Sequence, residues 1–244
     1  MDMKISGSGT IAAGEYDNVR ISGAGKVGGS IRCQSFHCSG AAHCSGDIEA
    51  YKEIRVSGSA HFDRGLSAQD IGISGSARID GNCTSRGELR ISGSLRCDGD
   101  IKGNTIAISG GAHTESVEGE DVHISGKIVC NGLLNAENIV IEMNGATSEI
   151  GSIGGSKISI YPAKHVKKVT RLPLLSKMLD NNGRTDLTVK DSIEGDEIAL
   201  EMVTAKTVIG RVVAIGAGCH IDLVQYSEDI EISPDAQVDQ QERI

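Results

Sequence analysis

Tryptophan is absent from the 244 residues, and the other aromatics amount to two Phe and four Tyr. A compact α/β domain usually centres its core on aromatic and leucine-rich helices, so this scarcity argues against one. No run of 18 apolar residues exists, so no membrane-spanning helix is expected. The opening text MDMKISGSG has neither the charged start nor the apolar stretch of a signal peptide. Positive charge is short too: 24 Lys and Arg against 33 Asp and Glu leave a formal net charge of −9. That balance disfavours nonspecific nucleic-acid binding, and no nucleic-acid partner is expected. The seven cysteines are odd in number and lack paired spacing, which in an unexported chain points to reduced thiols in the cytoplasm.

Glycine is what the chain has in abundance, with 32 residues, and its placement is periodic. Ile71-Gly72-Ile73-Ser74-Gly75-Ser76 returns as Leu89-Arg90-Ile91-Ser92-Gly93-Ser94. The final glycine of this phrase recurs at Gly7, Gly23, Gly40, Gly58, Gly75, Gly93, Gly110 and Gly126, with a looser match at Gly145. The gaps are 16, 17, 18, 17, 18, 17, 16 and 19 residues. Such a period is too short for the common helical repeats and suits one turn of a β-solenoid.

Alternation within each repeat supports strands. Before the glycine, apolar pairs stand two residues apart, as in Val19/Ile21, Ile54/Val56, Leu89/Ile91 and Ile158/Ile160. After it comes a second apolar column, Val27, Cys44, Phe62, Ile79, Cys97, Thr114 and Cys130, and then a weaker third, Ile31, Ile48, Leu66, Cys83 and Ile101. Three inward columns per turn describe a parallel β-helix of triangular cross-section. One coil cannot bury its apolar edge alone, but a stack at about 4.8 Å spacing can. Glycine or serine belongs at the corner, where a Cβ would crowd the bend.

The register breaks after Ile160. The expected organisation is a main β-helix of about nine coils over 1–160 and an insertion over 161–185. β-helix-like coils over 186–233 and a polar, frayed tail over 234–244 follow. Leu172, Leu175 and Leu179 fall at helical spacing within the insertion, which predicts a short helix that crosses or caps the stack. The same segment carries Lys164, Lys167, Lys168 and Arg171 with no acid among them, a candidate patch for an anionic partner or a membrane surface.

Phe36-His37-Cys38 to Ala42-His43-Cys44 looks like metal-binding text, but Cys38 and Cys44 fall on inward columns while His37 and His43 point outward. A tetrahedral site cannot easily gather ligands from both sides of a strand, so the cysteines read as small buried hydrophobes and no metal or cofactor is expected. The outward positions of the second wall form a basic column, Lys26, His43, His61, Arg78, Arg96 and His113. Beside it stands an acidic one, Asp63, Asp80, Asp98 and Glu115. In-coil pairs His61–Asp63, Arg78–Asp80, Arg96–Asp98 and His113–Glu115 are expected, either as a solvated wall or as a lateral contact face. Two enzyme readings compete with a structural one. Stacked carboxylates suggest a polysaccharide lyase, and the six-residue spacing of Ile209, Ile215 and Ile221 beside His220 suggests a hexapeptide acyltransferase. The period near 17 and the short turns favour a non-enzymatic scaffold with no catalytic residue.

The phrase ISG-S-A/L-x-I/C-x-G over residues 4–160, with Ser192–Glu201 and Val213–Tyr226, resembles the bactofilins, bacterial polymer-forming cytoskeletal proteins. The last two stretches look like the C-terminal part of long bactofilin-like chains of Gram-positive bacteria. The resemblance implies a right-handed triangular β-helix and end-to-end polymerisation without nucleotide. It also implies scaffold roles in cell shape, envelope growth or motility. This chain departs from the pattern in its length, its 161–185 interruption, and its lack of the short N-terminal tail many members carry. The expected partner is the chain itself, joined through β-helix ends, with Met3, Ile5 and Ile11 of the first coil as candidate association residues. The expected location is the cytoplasm, with the 164–177 basic segment as the candidate contact to the inner face of the membrane.

Overall fold

The computed structural model describes residues 1–163 and 187–244. Among them every regular element is a strand, 24 in all, from β1 (Met3–Ile5) to β24 (Gln237–Arg243). All pair in parallel and wind into a solenoid of about 13 turns. In the register, Ile54 stands beside Ile71 and Ile71 beside Leu89, so one turn takes 17 residues and the next 18. The uneven sequence spacing is absorbed at the corners while the walls stay aligned.

The three expected columns are the core. Val19, Ile21, Phe36, Ile54, Val56 and Phe62 have no exposed surface, and the same holds for Ile79, Leu89, Ile101 and Thr114. Thr114 is polar, and its hydroxyl donates to the Gly99 carbonyl at 2.8 Å, which removes the cost of burying it. A further inward column, Ala42, Ala60, Ala77, Leu95 and Ala112, sits two residues ahead of the second-wall column.

The corner glycines have a specific cause. A Cβ at Gly75 would fall on the carbonyl oxygen of Gly58, and one at Gly58 on that of Gly40. The same clash recurs at Gly23, Gly40, Gly93, Gly110 and Gly126, each against the corner glycine one coil earlier. The constraint is therefore coil-to-coil stacking rather than a left-handed φ. Gly145 differs: its φ of 102° lies in the left-handed region, so it makes another kind of corner.

Two expectations need correction. The stack does not end at Ile160. Strand β20 (Ser148–Pro162) pairs directly with β21 (Leu187–Leu200), with Ile158 beside Ile198 and Ile160 beside Leu200. No apolar end is exposed below Ile158 and Ile160 for a helix to cover, because both are 1% exposed beneath the next coil. The expected insertion helix, with Leu172, Leu175 and Leu179, lies outside the described residues; of the insertion only 161–163 are described, and β20 ends there at Pro162. The tail is not frayed either. β24 pairs with β23 (His220–Ile232), Val238 standing beside Ile221. The strand adds one more coil, in which Gln241 takes the inward position beside the buried Val224.

Candidate functional site

Stacking the same position one coil apart brings the outward side chains of the second wall into a ladder. Lys26 stands beside His43, His43 beside His61, His61 beside Arg78, and Arg78 beside Arg96. Arg78 Nε donates to Asp80 Oδ1 at 2.7 Å and its terminal nitrogen reaches Asp98 Oδ2 at 2.7 Å. Arg96 Nε donates to Asp98 at 2.8 Å. His61 Nε2 lies 3.0 Å from Asp80 and 3.6 Å from Asp63, and His43 Nε2 lies 2.8 Å from Asp63. Each acid thus serves the basic group of its own coil and that of the coil before. The expected Arg78–Asp80 and Arg96–Asp98 pairs form, and His61 divides between Asp63 and Asp80. Glu115 instead accepts from Asn131 at 2.7 Å.

Electrostatics follow the geometry. Hydrogen bonds from Arg78 and His61 hold the Asp80 carboxyl below its ordinary range, and Asp80 in turn holds the Arg78 proton more firmly. Next to this ladder lies an open trough of about 800 Å³, floored by Gly25, Ala42 and Ala60 and edged by Lys26, His43 and His61.

The first wall carries a second charged ladder that sequence pattern did not single out. Glu53 takes His37 Nε2 at 2.8 Å and Arg55 Nε at 2.8 Å, and Arg90 pairs with Glu88 at 2.6 Å. Burial pushes the Glu53 carboxyl up, but the bonds from His37 and Arg55 outweigh it and leave it lowered. The signal was available in outward positions of the wall, since Glu53/Arg55 and Glu88/Arg90 stand two residues apart in one strand; only His37 comes from the coil before.

All seven cysteines are buried and free. Burial pushes the Cys33 and Cys130 thiols up to about 11 and Cys44 to about 12, and raises Cys38, Cys83, Cys97 and Cys219 as well. A protonated thiol is neither a good nucleophile nor a good metal ligand, which supports their reading as core side chains. Near the C-terminal end, His220 is exposed, whereas Ile215 and Ile221 are buried in the core. Ile209 pairs with Gln225 and Ile215 with Ile232, so the six-residue spacing does not define a repeated wall there.

The first coil offers an edge. Ser22, Ala24 and Gly28 of the second coil donate to the carbonyls of Ile5, Gly7 and Ile11. Backbone groups alternate in direction along a strand, so within the two strands of this coil those of Lys4, Ser8 and Thr10 point away along the solenoid axis. β1 pairs only with β3 (Gly14–Ile21), and β2 (Ser8–Ile11) only with β4 (Ala24–Val27), among the described residues. Of the three candidate association residues, Met3 is half-buried, while Ile5 and Ile11 are 8% and 1% exposed. Gly7 is distinctive: a Cβ there would meet nothing within 4 Å, unlike its counterparts in the following coils. The basic residues Lys164, Lys167, Lys168 and Arg171 lie outside the described residues. No helix among the described residues is long and apolar enough to cross a membrane.

A family model described as "Bactofilin: Polymer-forming cytoskeletal" matches residues 1–84. "Uncharacterized protein YhbE" of Bacillus subtilis (strain 168) is 47% identical over 238 residues, covering 96% of this chain and 94% of that protein. "Uncharacterized protein YhbF" of the same organism is 28% identical over 113 residues, 46% of this chain and 42% of its own length. No solved structure matches.

Proposed function

The chain belongs to the bactofilin family, and from that premise we propose that it is a non-enzymatic scaffold of the cytoplasm that self-associates end to end through its β-helix. The observation that carries the reading is the first coil. Its outward edge presents backbone donors and acceptors with no partner strand among the described residues, a template for another coil. Gly7 supports this in a specific way. Its successors lack a Cβ because the preceding coil's carbonyl occupies that space, and Gly7 leaves the same space open toward the free edge. A second copy stacked there would set its own backbone where a Gly7 side chain would stand.

The test follows from that asymmetry. Ile5→Lys would disturb assembly and core together, because Ile5 is buried. Gly7→Val is cleaner. It should melt like the parent, since open space surrounds the new side chain, while shortening or abolishing assemblies seen by negative-stain microscopy and sedimentation. Assemblies of unchanged length from Gly7→Val would remove the first coil from the interface. A parent that stays monomeric at high concentration would overturn end-to-end association altogether.

A further inference from the structure

The wall-two ladder contains one rung unlike the rest. His43 and His61 are neighbours on adjacent coils, and their rings stack with centroids 5.3 Å apart and planes 13° from parallel. Both Nε2 atoms face the same carboxylate: Asp63 Oδ1 is 2.8 Å from His43 and 3.6 Å from His61. One ligand atom from each of the three residues lies within 4.8 Å of the others. The cysteines and histidines of residues 37–44 lie on opposite faces of their strands and cannot share an ion. Here every donor is on the outward face, and the two histidines come from different coils.

We propose that His43, His61 and Asp63 form a site for a borderline divalent cation, with Zn²⁺ as the best-matched ion. Two imidazoles and one carboxylate are a donor set that zinc accepts, at bond lengths of about 2.0–2.1 Å. Tetrahedral bonds of that length set donor atoms roughly 3.3 Å apart. His43 and Asp63 already stand closer than that, and a tilt of the two rings toward each other brings His61 in. The ion replaces the hydrogen-bond proton between His43 and Asp63, so the donors give up little to receive it. Arg78, the nearest cation on the next coil, is turned to Asp80 and Asp98, which hold its guanidinium. Asp80 gives Oδ1 to that same guanidinium and holds Oδ2 3.0 Å from His61 Nε2, a bond the ion displaces as His61 turns to it, and the fourth position is left to water. The open trough beside the histidines gives that water room. Bound there, the ion would clip two consecutive coils together from outside.

Isothermal titration of the full chain with Zn²⁺ tests the site. The expected result is one saturable ion per chain. His43→Gln and His61→Gln should each weaken it by about ten-fold or more, as loss of one of three protein ligands requires. His123→Gln is the control, since His123 belongs to a different coil and lies near Glu142. Its binding should match the parent's. Co²⁺ then identifies the donors. Ligand-field bands without a thiolate charge-transfer band fit imidazole and carboxylate, whereas a thiolate band would place the ion on cysteine and overturn the proposal. Zn²⁺ should also raise the melting temperature of the parent but not of the His43→Gln/His61→Gln double variant. Parent-like binding by that folded double variant, or no saturable binding by the parent, would equally overturn the site.

Discussion

At the scale of single residues, glycine and cysteine explain most of the chain's odd composition. Gly75 has no substitute, because the Gly58 carbonyl fills the space of its Cβ and both atoms are fixed in backbone. Gly75→Ala should cost roughly 3 kcal/mol in chemical denaturation, as overpacking against an unyielding neighbour does. A loss below about 0.5 kcal/mol would show that the corner opens freely. Cysteine fills inward positions otherwise held by Ile, Val and Phe, and burial keeps its thiol protonated. Native protein should therefore label slowly with iodoacetamide at neutral pH, and all seven thiols should react together once denaturant unfolds the stack. Fast labelling of Cys44 in the native state would contradict its burial. These positions were legible in the sequence because period-two alternation fixes which way each side chain points. The partner of an outward side chain was less legible. His43 has Ser45 two residues on, so its carboxylate must come from the next coil, as Asp63. Reading pairs within one coil misses contacts that exist only through stacking.

At the scale of elements, each wall is a set of short strands whose outward groups form ladders. Exposed pairs of this kind contribute little singly, about 0–1 kcal/mol. The Glu53 node is the better case, because one carboxylate serves His37 and Arg55 from neighbouring coils. Its folded-state value is lowered, so its contribution is present above the unfolded carboxyl value and lost as pH falls through the lowered one. Glu53→Gln should reduce stability by under about 1 kcal/mol at pH 7, and the gap from the parent should close as pH drops below about 4. Urea melts at the two pH values check this. A gap that stays constant would assign the effect to packing instead of charge. The strand boundary at Pro162 and Leu187 shows the other limit of sequence reading. The pattern identified strands on both sides of the interruption, yet adjacency of β20 and β21 is a register fact that repeat spacing alone cannot supply once 161–185 intervenes. Because Leu200 and Val203 turn the equivalent corner with two residues between them, a short corner should suffice in place of 164–186. Such a shortened chain should melt within a few degrees of the parent. A large drop would show that the segment contributes packing of its own.

At the scale of the whole molecule, the solenoid is one continuous stack in which each coil touches only its neighbours, so stability is close to a sum of coil and interface terms. An internal coil has two such interfaces and an end coil has one. The two ends are not equivalent. In the first coil Ile5 and Ile11 are 8% and 1% exposed, whereas Ile230, Ile232 and Val238 near the other end are only partly buried. The last strand is polar, with Gln237, Asp239, Gln241 and Glu242 exposed, and its ladder is joined on one side only, to β23. Local opening should therefore begin at β24 and the first-wall part of β23, and move inward. Hydrogen exchange followed by mass spectrometry should show the fastest exchange over 230–243, intermediate exchange over 3–11, and strong protection in coils between. Assembly that joins the first coil of one copy to the last coil of another should slow exchange over 3–11 and 230–243 together in concentrated samples. Protection over 3–11 alone would mark a dimer closed through two first coils. If 230–243 alone gained the protection, the contact would lie at the C-terminal end, and the edge around Gly7 would be the free one.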